Sequence, residues 1–354
     1  MHQHRTLLRV ESLEARTTPD VGLVGAGTGN VQAYLSGGNL YIIGDAGNNR
    51  LALWNVTPNA IRIQGNGTTI NGSSTAQVFA LGAGKSVFIN LRGGNDTIVL
   101  GDNLVDSDLR SLAILGNLRI DLGGGDNTVG LENLFVRGTT SIRAGAGNDT
   151  VDIDTTLGSP TFLKGNFTAT LGDGDNSVSG NTFGVGGNVS ITTGSDDDTI
   201  DLSNATIAKN LLIAANDGDN QITITDSDVD GNITRISTGL DIDNITLDSS
   251  DFKRLFVLTG NDGDDTVDVG GVTAVSVNVT TGAGDDTVNI TNSDFALASS
   301  VSTGDGDDTV TVSGSDFLGG LTADGGADND TFNGVGPGYG NTGINTVIDF
   351  ETTN

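Results

Sequence analysis

The chain has 354 residues, a formal net charge of −29, 54 glycines and no cysteine. Its acidity argues against nucleic acid as a partner and against adsorption on anionic lipid, because both require a basic surface. No apolar run reaches the ~18 residues of a transmembrane helix, so we expect no membrane insertion. Without cysteine, disulfides and thiol chemistry are excluded.

Residues 1–20 form a basic segment that lacks the long apolar run of an ordinary secretory signal. The stretch from Leu8 to Pro19 resembles the L-E-x-R-x-x-P leader of many exported planctomycete proteins, although Asp20 stands where that pattern usually has Ser. The resemblance implies an export leader and a secreted or cell-surface protein. The alternative is a short basic amphipathic helix that does not direct export. His2 and His4 lie too near the terminus to be ligands of a fixed site.

Residues 21–92 contain strand-like segments in an irregular order. The segments on either side of Ser36-Gly37-Gly38-Asn39 predict a hairpin, and further strands are expected from Leu51 to Val56 and from Ala60 to Gln64. Because a repetitive fold needs atypical ends to close its core, we interpret 21–92 as an N-terminal cap with degenerate first coils. A separate small β domain is the alternative.

Residues 93–333 repeat with a period of about 22. An apolar residue that follows a Thr-type position recurs from Ile98 to Phe332, mostly at intervals of 21–23 residues. Two longer intervals, of 31 and 27 residues, indicate insertions near 102–118 and 155–164. Such self-similarity is typical of a solenoid.

Each repeat has the alternating residue pattern that is typical of β-strands. In Thr287–Ile290 apolar and polar residues alternate, which predicts that Val288 and Ile290 point inward and Asn289 outward. Two further apolar positions recur in the repeats. One follows a Ser-Asp turn, as at Phe295, and the other precedes the glycines, as at Val301. We therefore expect an all-β, right-handed parallel β-helix with about 22 residues and three short strands per coil, closed by a C-terminal cap at 334–354.

The turn before each Thr-type position is rich in glycine and acidic side chains. The residue directly before that position is Asp or Asn in all eleven repeats, and the residue before it is nearly always Asp or Asn as well. Turn geometry explains Asx residues but not their charge. Stacked carboxylates about 5 Å apart repel by about 0.8 kcal/mol in water, so this ladder either stays hydrated or collects cations. Calcium suits such oxygen-rich, flexible sites better than magnesium does.

Three of these turns also carry a known pattern. Gly145-x-Gly147-x-Asp149-x-Val151 resembles the G-G-x-G-x-D-x-U-x nonapeptide of repeats-in-toxin calcium-binding proteins, as do the turns that hold Asp286 and Asp308. Family repeats run in tandem nines, whereas here one motif occurs per coil. The resemblance implies Ca²⁺ ligation by Asp149, Asp286 and Asp308. With the stacking argument, the predicted metal-binding residues are Asp149, Asp198, Asp264, Asp265, Asp285, Asp286, Asp307, Asp308, Asp328 and Asp330.

These patterns favour an extracellular or cell-surface calcium-binding solenoid with a structural or adhesive role. Its partners would be calcium ions and cell-wall or extracellular polysaccharide or other surface proteins. The first alternative is a cation-independent structural interaction scaffold. The second is a β-helix polysaccharide lyase or hydrolase, but no carboxylate stands out from the repeat, so we expect no enzymatic activity.

Overall fold

The protein is described by a computed structural model for residues 27–101, 110–154, 160–258, 262–334 and 342–353. The predicted leader, part of both predicted insertions and part of the predicted C-terminal cap lie outside these residues. The described residues contain strands and no helix, and the strands stack into a parallel β-solenoid with coils of about 22 residues. This arrangement confirms the predicted all-β solenoid.

The first face of the solenoid is one continuous parallel sheet. Its strands follow the Thr-type positions, and successive strands pair without a shift in register, so Val288 lies between Val267 and Val310. The strands are Arg50–Thr57, Thr97–Leu100, Thr128–Glu132, Thr150–Asp154, Ser177–Asn181, Thr199–Ser203, Gln221–Thr225, Asn244–Asp248, Thr266–Gly270, Thr287–Thr291, Thr309–Ser313, Thr331–Asn333 and Thr352–Thr353.

The second face is built from the shortest strands, and three longer strands continue from it around the corner to the third face. The short strands are Leu112–Ile114, Leu134–Val136, Phe162–Leu163, Gly184–Val185, Thr206–Ile207, Asp228–Val229 and Asp294–Phe295. The longer strands are Asp251–Leu258, Thr273–Ala283 and Asp316–Ala327.

The third face precedes the glycine-rich turn and is again parallel and nearly free of register shifts. Its remaining strands are Asn39–Ile43, Val87–Asn90, Leu118–Asp121, Thr140–Arg143, Phe167–Thr170, Val189–Thr192, Leu211–Asn216, Thr234–Thr238, Ser299–Asp305 and Thr342–Ile348. Three strands per coil are therefore present, as the sequence predicts.

The N-terminal part adds antiparallel strands to the first coil. Asn30–Ser36 and Asn39–Ile43 form the predicted hairpin around Gly37 and Gly38. Ala60–Gly65 pairs antiparallel with Arg50–Thr57 on one side and with Gln77–Ala80 on the other. The short strand Thr69–Ile70 pairs in parallel with the start of the hairpin.

The core is a single column of stacked apolar side chains. Val288 and Ile290 are fully buried, whereas Asn289 between them is half-exposed, so the predicted facing is confirmed. Phe295 and Phe317 stack inside the second face with ring centroids 5.0 Å apart. One cluster of buried residues runs from Val31 to Phe332, so no single coil has a core of its own.

Candidate functional site: the acidic edge

We call the corner between the third and first faces the acidic edge. The backbone there turns through glycines that no other residue replaces easily. Gly284 has φ +130°, and a Cβ on it would collide with the Gly263 carbonyl oxygen of the preceding coil. At the equivalent position Asp328 has φ +86°, a conformation that Asp tolerates better than most residues. Glycine here therefore lets successive coils stack closely.

The residue directly before each first-face strand from Arg50–Thr57 to Thr331–Asn333 has a buried side chain that links two coils. The Asp286 N–H donates to Asp308 Oδ1 at 2.8 Å, and the Asp308 N–H donates to Asp330 Oδ1 at 2.9 Å. The same bond joins each coil to the next along the rod. This inner ladder consists of Asn49, Asp96, Asn127, Asp149, Asn176, Asp198, Asn220, Asp243, Asp265, Asp286, Asp308 and Asp330.

The residue one position earlier forms a second ladder on the exposed side of the turn, and its bonds run in the opposite direction. The Asp285 N–H donates to Asp264 Oδ1, and the Asp307 N–H donates to Asp285 Oδ1, both at 2.9 Å. The Asn329 N–H continues the series by donating to Asp307 Oδ1 at 3.0 Å. This outer ladder is interrupted at Ile242, whose side chain cannot accept a hydrogen bond. It consists of Asn48, Asn95, Asp126, Asn148, Asp175, Asp197, Asp219, Asp264, Asp285, Asp307 and Asn329.

Asp and Asn use their second polar atom differently in the inner ladder. Asn176 Nδ2 donates to the carbonyls of Gly172 and Gly174 at 2.8 and 2.6 Å. The equivalent Oδ2 atom of an aspartate cannot donate unless it carries a proton. Among the described residues, that Oδ2 atom is buried without a hydrogen-bond partner at Asp96, Asp149, Asp198, Asp243, Asp286, Asp308 and Asp330.

Burial makes these carboxyls weaker acids than an exposed aspartate. It raises the pKa of Asp96 to about 7 and that of Asp149, Asp286 and Asp308 to about 6. The Thr281 and Thr303 hydroxyls lower the pKa of Asp286 and Asp308, and hydrogen bonds from the preceding coil lower the pKa of all four. Charged neighbours contribute less, as Asp265 and Asp264 do at Asp286. The inner carboxyls are therefore poised to bind a proton or a cation near neutral pH.

The structure divides the ten predicted metal ligands by depth. Asp328 is exposed at the glycine position of the last turn, and Asp264, Asp285 and Asp307 are exposed in the outer ladder. The other six lie buried in the inner ladder: Asp149, Asp198, Asp265, Asp286, Asp308 and Asp330. In the described part of the chain, no group of three or more His, Asp or Glu side chains converges as a metal site would require.

Sequence reasoning missed the ladders in the other two corners. The Ser293 N–H donates to Ser315 Oγ at 3.1 Å between the first and second faces. The Asn210 N–H donates to Asn188 Oδ1 at 3.2 Å between the second and third faces. The recurrence of Ser and Asn at a spacing of 22 residues was the signal for both.

The fold and its laddered corners define the chain as a parallel β-solenoid whose turns are tied together by side chains. No protein-family model, curated protein or solved structure matches the chain. Within the described residues, no helix is long and apolar enough to cross a membrane.

Proposed function

We propose that the chain is a calcium-binding structural or adhesive solenoid that acts outside the cytoplasm, secreted or at the cell surface. The observation that carries this proposal is the row of exposed outer-ladder carboxylates in neighbouring coils. Asp264, Asp285 and Asp307 each use Oδ1 to hold the next coil, which fixes their carboxylates one strand spacing, ~4.8 Å, apart. No Lys or Arg follows Arg254 in the sequence to offset this charge.

Calcium is the cation that best fits this row. It accepts six to eight oxygens from carboxylates, backbone carbonyls and water in flexible geometry. Two successive outer carboxylates would supply protein oxygens, and solvent is accessible for the remaining positions because these side chains are exposed. When bound, the ion would neutralise the repulsion between coils. We expect the protein to have no enzymatic activity, because the carboxylates repeat from coil to coil.

Thermal melting with calcium tests the proposal. Millimolar Ca²⁺ should raise the melting temperature more than Mg²⁺ or NaCl at matched ionic strength, since a ligand of the folded state adds about 2.7 kcal/mol per site at a hundred times its Kd. The double variant Asp285→Asn with Asp307→Asn keeps the ladder bonds, because Asn148 makes the same bond in the outer ladder. It should lose most of the calcium response.

The matched control is Asp286→Asn with Asp308→Asn, which removes the same charge from the inner ladder. It should stabilise the metal-free protein and retain more of the calcium response than the outer variant. An unchanged melting temperature with calcium in the parent protein would contradict the proposal.

A cation-independent structural scaffold is the second candidate, and one observation favours it. Asn127, Asn176 and Asn220 replace Asp in the inner ladder and accept the same main-chain hydrogen bond. The turns therefore do not need a charge at these positions to stack. A calcium response equal to that of NaCl would support this second candidate.

A further inference from the structure

One of the two rows of outward side chains on the third face differs from the rest of this acidic protein; the other row includes Asp121 and Asp324. The first of these rows begins with stacked aromatic rings: the centroids of Tyr34 and Tyr41 are 5.5 Å apart, and those of Tyr41 and Phe88 are 5.0 Å apart. Strand register places Arg119 directly after Phe88. The first face, by contrast, has Asp152 and Asp201 in its central outward row.

A second aromatic and basic group lies further along the same row. Register places Leu212, Arg235 and Phe256 in three successive coils, followed by Asn278. They line a groove of about 540 Å³. Leu212 is exposed, although a large apolar side chain there serves no purpose in the core. Ser141, Thr168 and Ser190 occupy the row between the two groups.

In the coils after Lys164, positive charge is concentrated on and beside this face. After Lys164 the chain has only four basic residues, and all of them lie on the third face or in the turn that leads into it: Lys209, Arg235, Lys253 and Arg254. The row from Tyr41 to Thr322 contains no acidic residue, in a chain with 45 of them. In these later coils a negatively charged partner would be repelled least along this row.

We propose that the third face binds a linear acidic polysaccharide, a uronate polymer that lies along the rod. Arg119 and Arg235 would pair with uronate carboxylates, since the planar guanidinium matches a carboxylate with two hydrogen bonds. The half-exposed Phe256 would pack against the apolar face of a sugar ring. The strand spacing of ~4.8 Å is close to the length of one sugar unit, so a linear chain can follow successive coils.

This inference is separate from the calcium proposal and is tested with the full chain in a chelator. The probe is polygalacturonate, with neutral dextran as its counterpart, measured by calorimetry at low salt. The chelator matters because calcium could bridge the acidic edge to the polymer. We expect binding of polygalacturonate, no comparable binding of dextran, and weakening as salt is added.

Variants locate the binding site. Arg235→Gln should weaken the affinity about tenfold, as should Phe256→Ser. The controls are Arg92→Gln, which removes an exposed positive charge from the acidic edge, and Phe162→Ser, which removes an exposed ring from the second face. Both controls should bind like the parent protein, and circular dichroism checks that each variant is folded.

The proposal would be overturned by no binding of polygalacturonate in chelator, by equal binding of dextran, or by equal losses in the third-face variants and the controls. Binding that appears only when calcium is added would also overturn it, because that result assigns the polymer to the acidic edge.

Discussion

At the scale of single residues, the inner ladder separates two properties of aspartate: it accepts a hydrogen bond, and it carries a negative charge. Asp308 Oδ1 accepts the Asp286 N–H of the preceding coil, and Asn176 Oδ1 likewise accepts the Asp149 N–H of the preceding coil. The second oxygen of Asp308 is buried without a partner, whereas Asn176 Nδ2 donates to two carbonyls. Hydrogen bonding therefore accounts for an Asx residue, and the charge of Asp is a separate property that destabilises the turn until a proton or cation neutralises it.

This charge predicts an unusual pH dependence. The pKa of Asp149, Asp198, Asp243, Asp286 and Asp308 is raised to about 6 and that of Asp96 to about 7, above the ~3.9 of an unfolded chain. Between the unfolded pKa of ~3.9 and the folded pKa values of about 6 to about 7, the folded state binds more protons than the unfolded state. The stability of the folded state therefore falls as pH rises through this range. We expect the melting temperature in chelator to decrease from about pH 5 to about pH 8.

The double variant Asp286→Asn with Asp308→Asn should flatten this pH profile, because two of the titrating carboxyls are then absent. A parent protein whose melting temperature increases over the same pH range would show that the inner carboxyls are not held in their protonated form.

At the scale of secondary structure, the local sequence pattern was enough to predict the strands but not the depth of the side chains in the corners. The alternation in Thr287–Ile290 predicted one strand and its facing correctly, and Phe295 and Phe317 marked the second face. In the acidic turn, however, Asp285 and Asp286 are adjacent and chemically identical. Only the path of the chain around the corner buries one and exposes the other, so the sequence pattern alone could not assign their depth.

The third face shows a similar limit. Arg235 and Phe256 are each a single residue in their own coil. Stacking places them side by side, and that adjacency across 21 positions of sequence is a property of register rather than of local pattern.

The close stacking of turns predicts a strong effect at Gly284. An alanine there would place its Cβ against the Gly263 carbonyl at a φ of +130°, which L side chains rarely adopt. Gly284→Ala should lower the free energy of unfolding by about 2–4 kcal/mol, measured by denaturant titration. Ala283→Gly, one residue earlier, should cost no more than about 1 kcal/mol. Comparable losses in both would mean that the turn relaxes to accept a Cβ.

At the scale of the whole molecule, the coil is the unit that can be added or removed. Deleting residues 282–303 removes one complete coil of 22 residues, and it joins Thr281 to Gly304 with the inner and outer ladders still in phase. We expect this deletion variant to keep a cooperative melting transition and the circular dichroism of the parent.

Deleting only residues 282–292 should abolish that transition, because half a coil places first-face residues opposite a different face and exposes the apolar column. If both deletion variants melt alike, neighbouring coils do not need to match.

The two ladders of the acidic edge also bear on how the rod responds to force. From Asp264 to Asn329 each coil donates to the next through the inner ladder and accepts from it through the outer ladder, so pulling one coil away there leaves unpaired groups on both sides of the break. The inner ladder ends at Asp330, whose N–H donates to Glu351 Oε2 at 2.6 Å rather than to another Asx residue. A rod tethered by its ends would therefore peel one coil at a time from a terminus, and it would resist least where Ile242 interrupts the outer ladder.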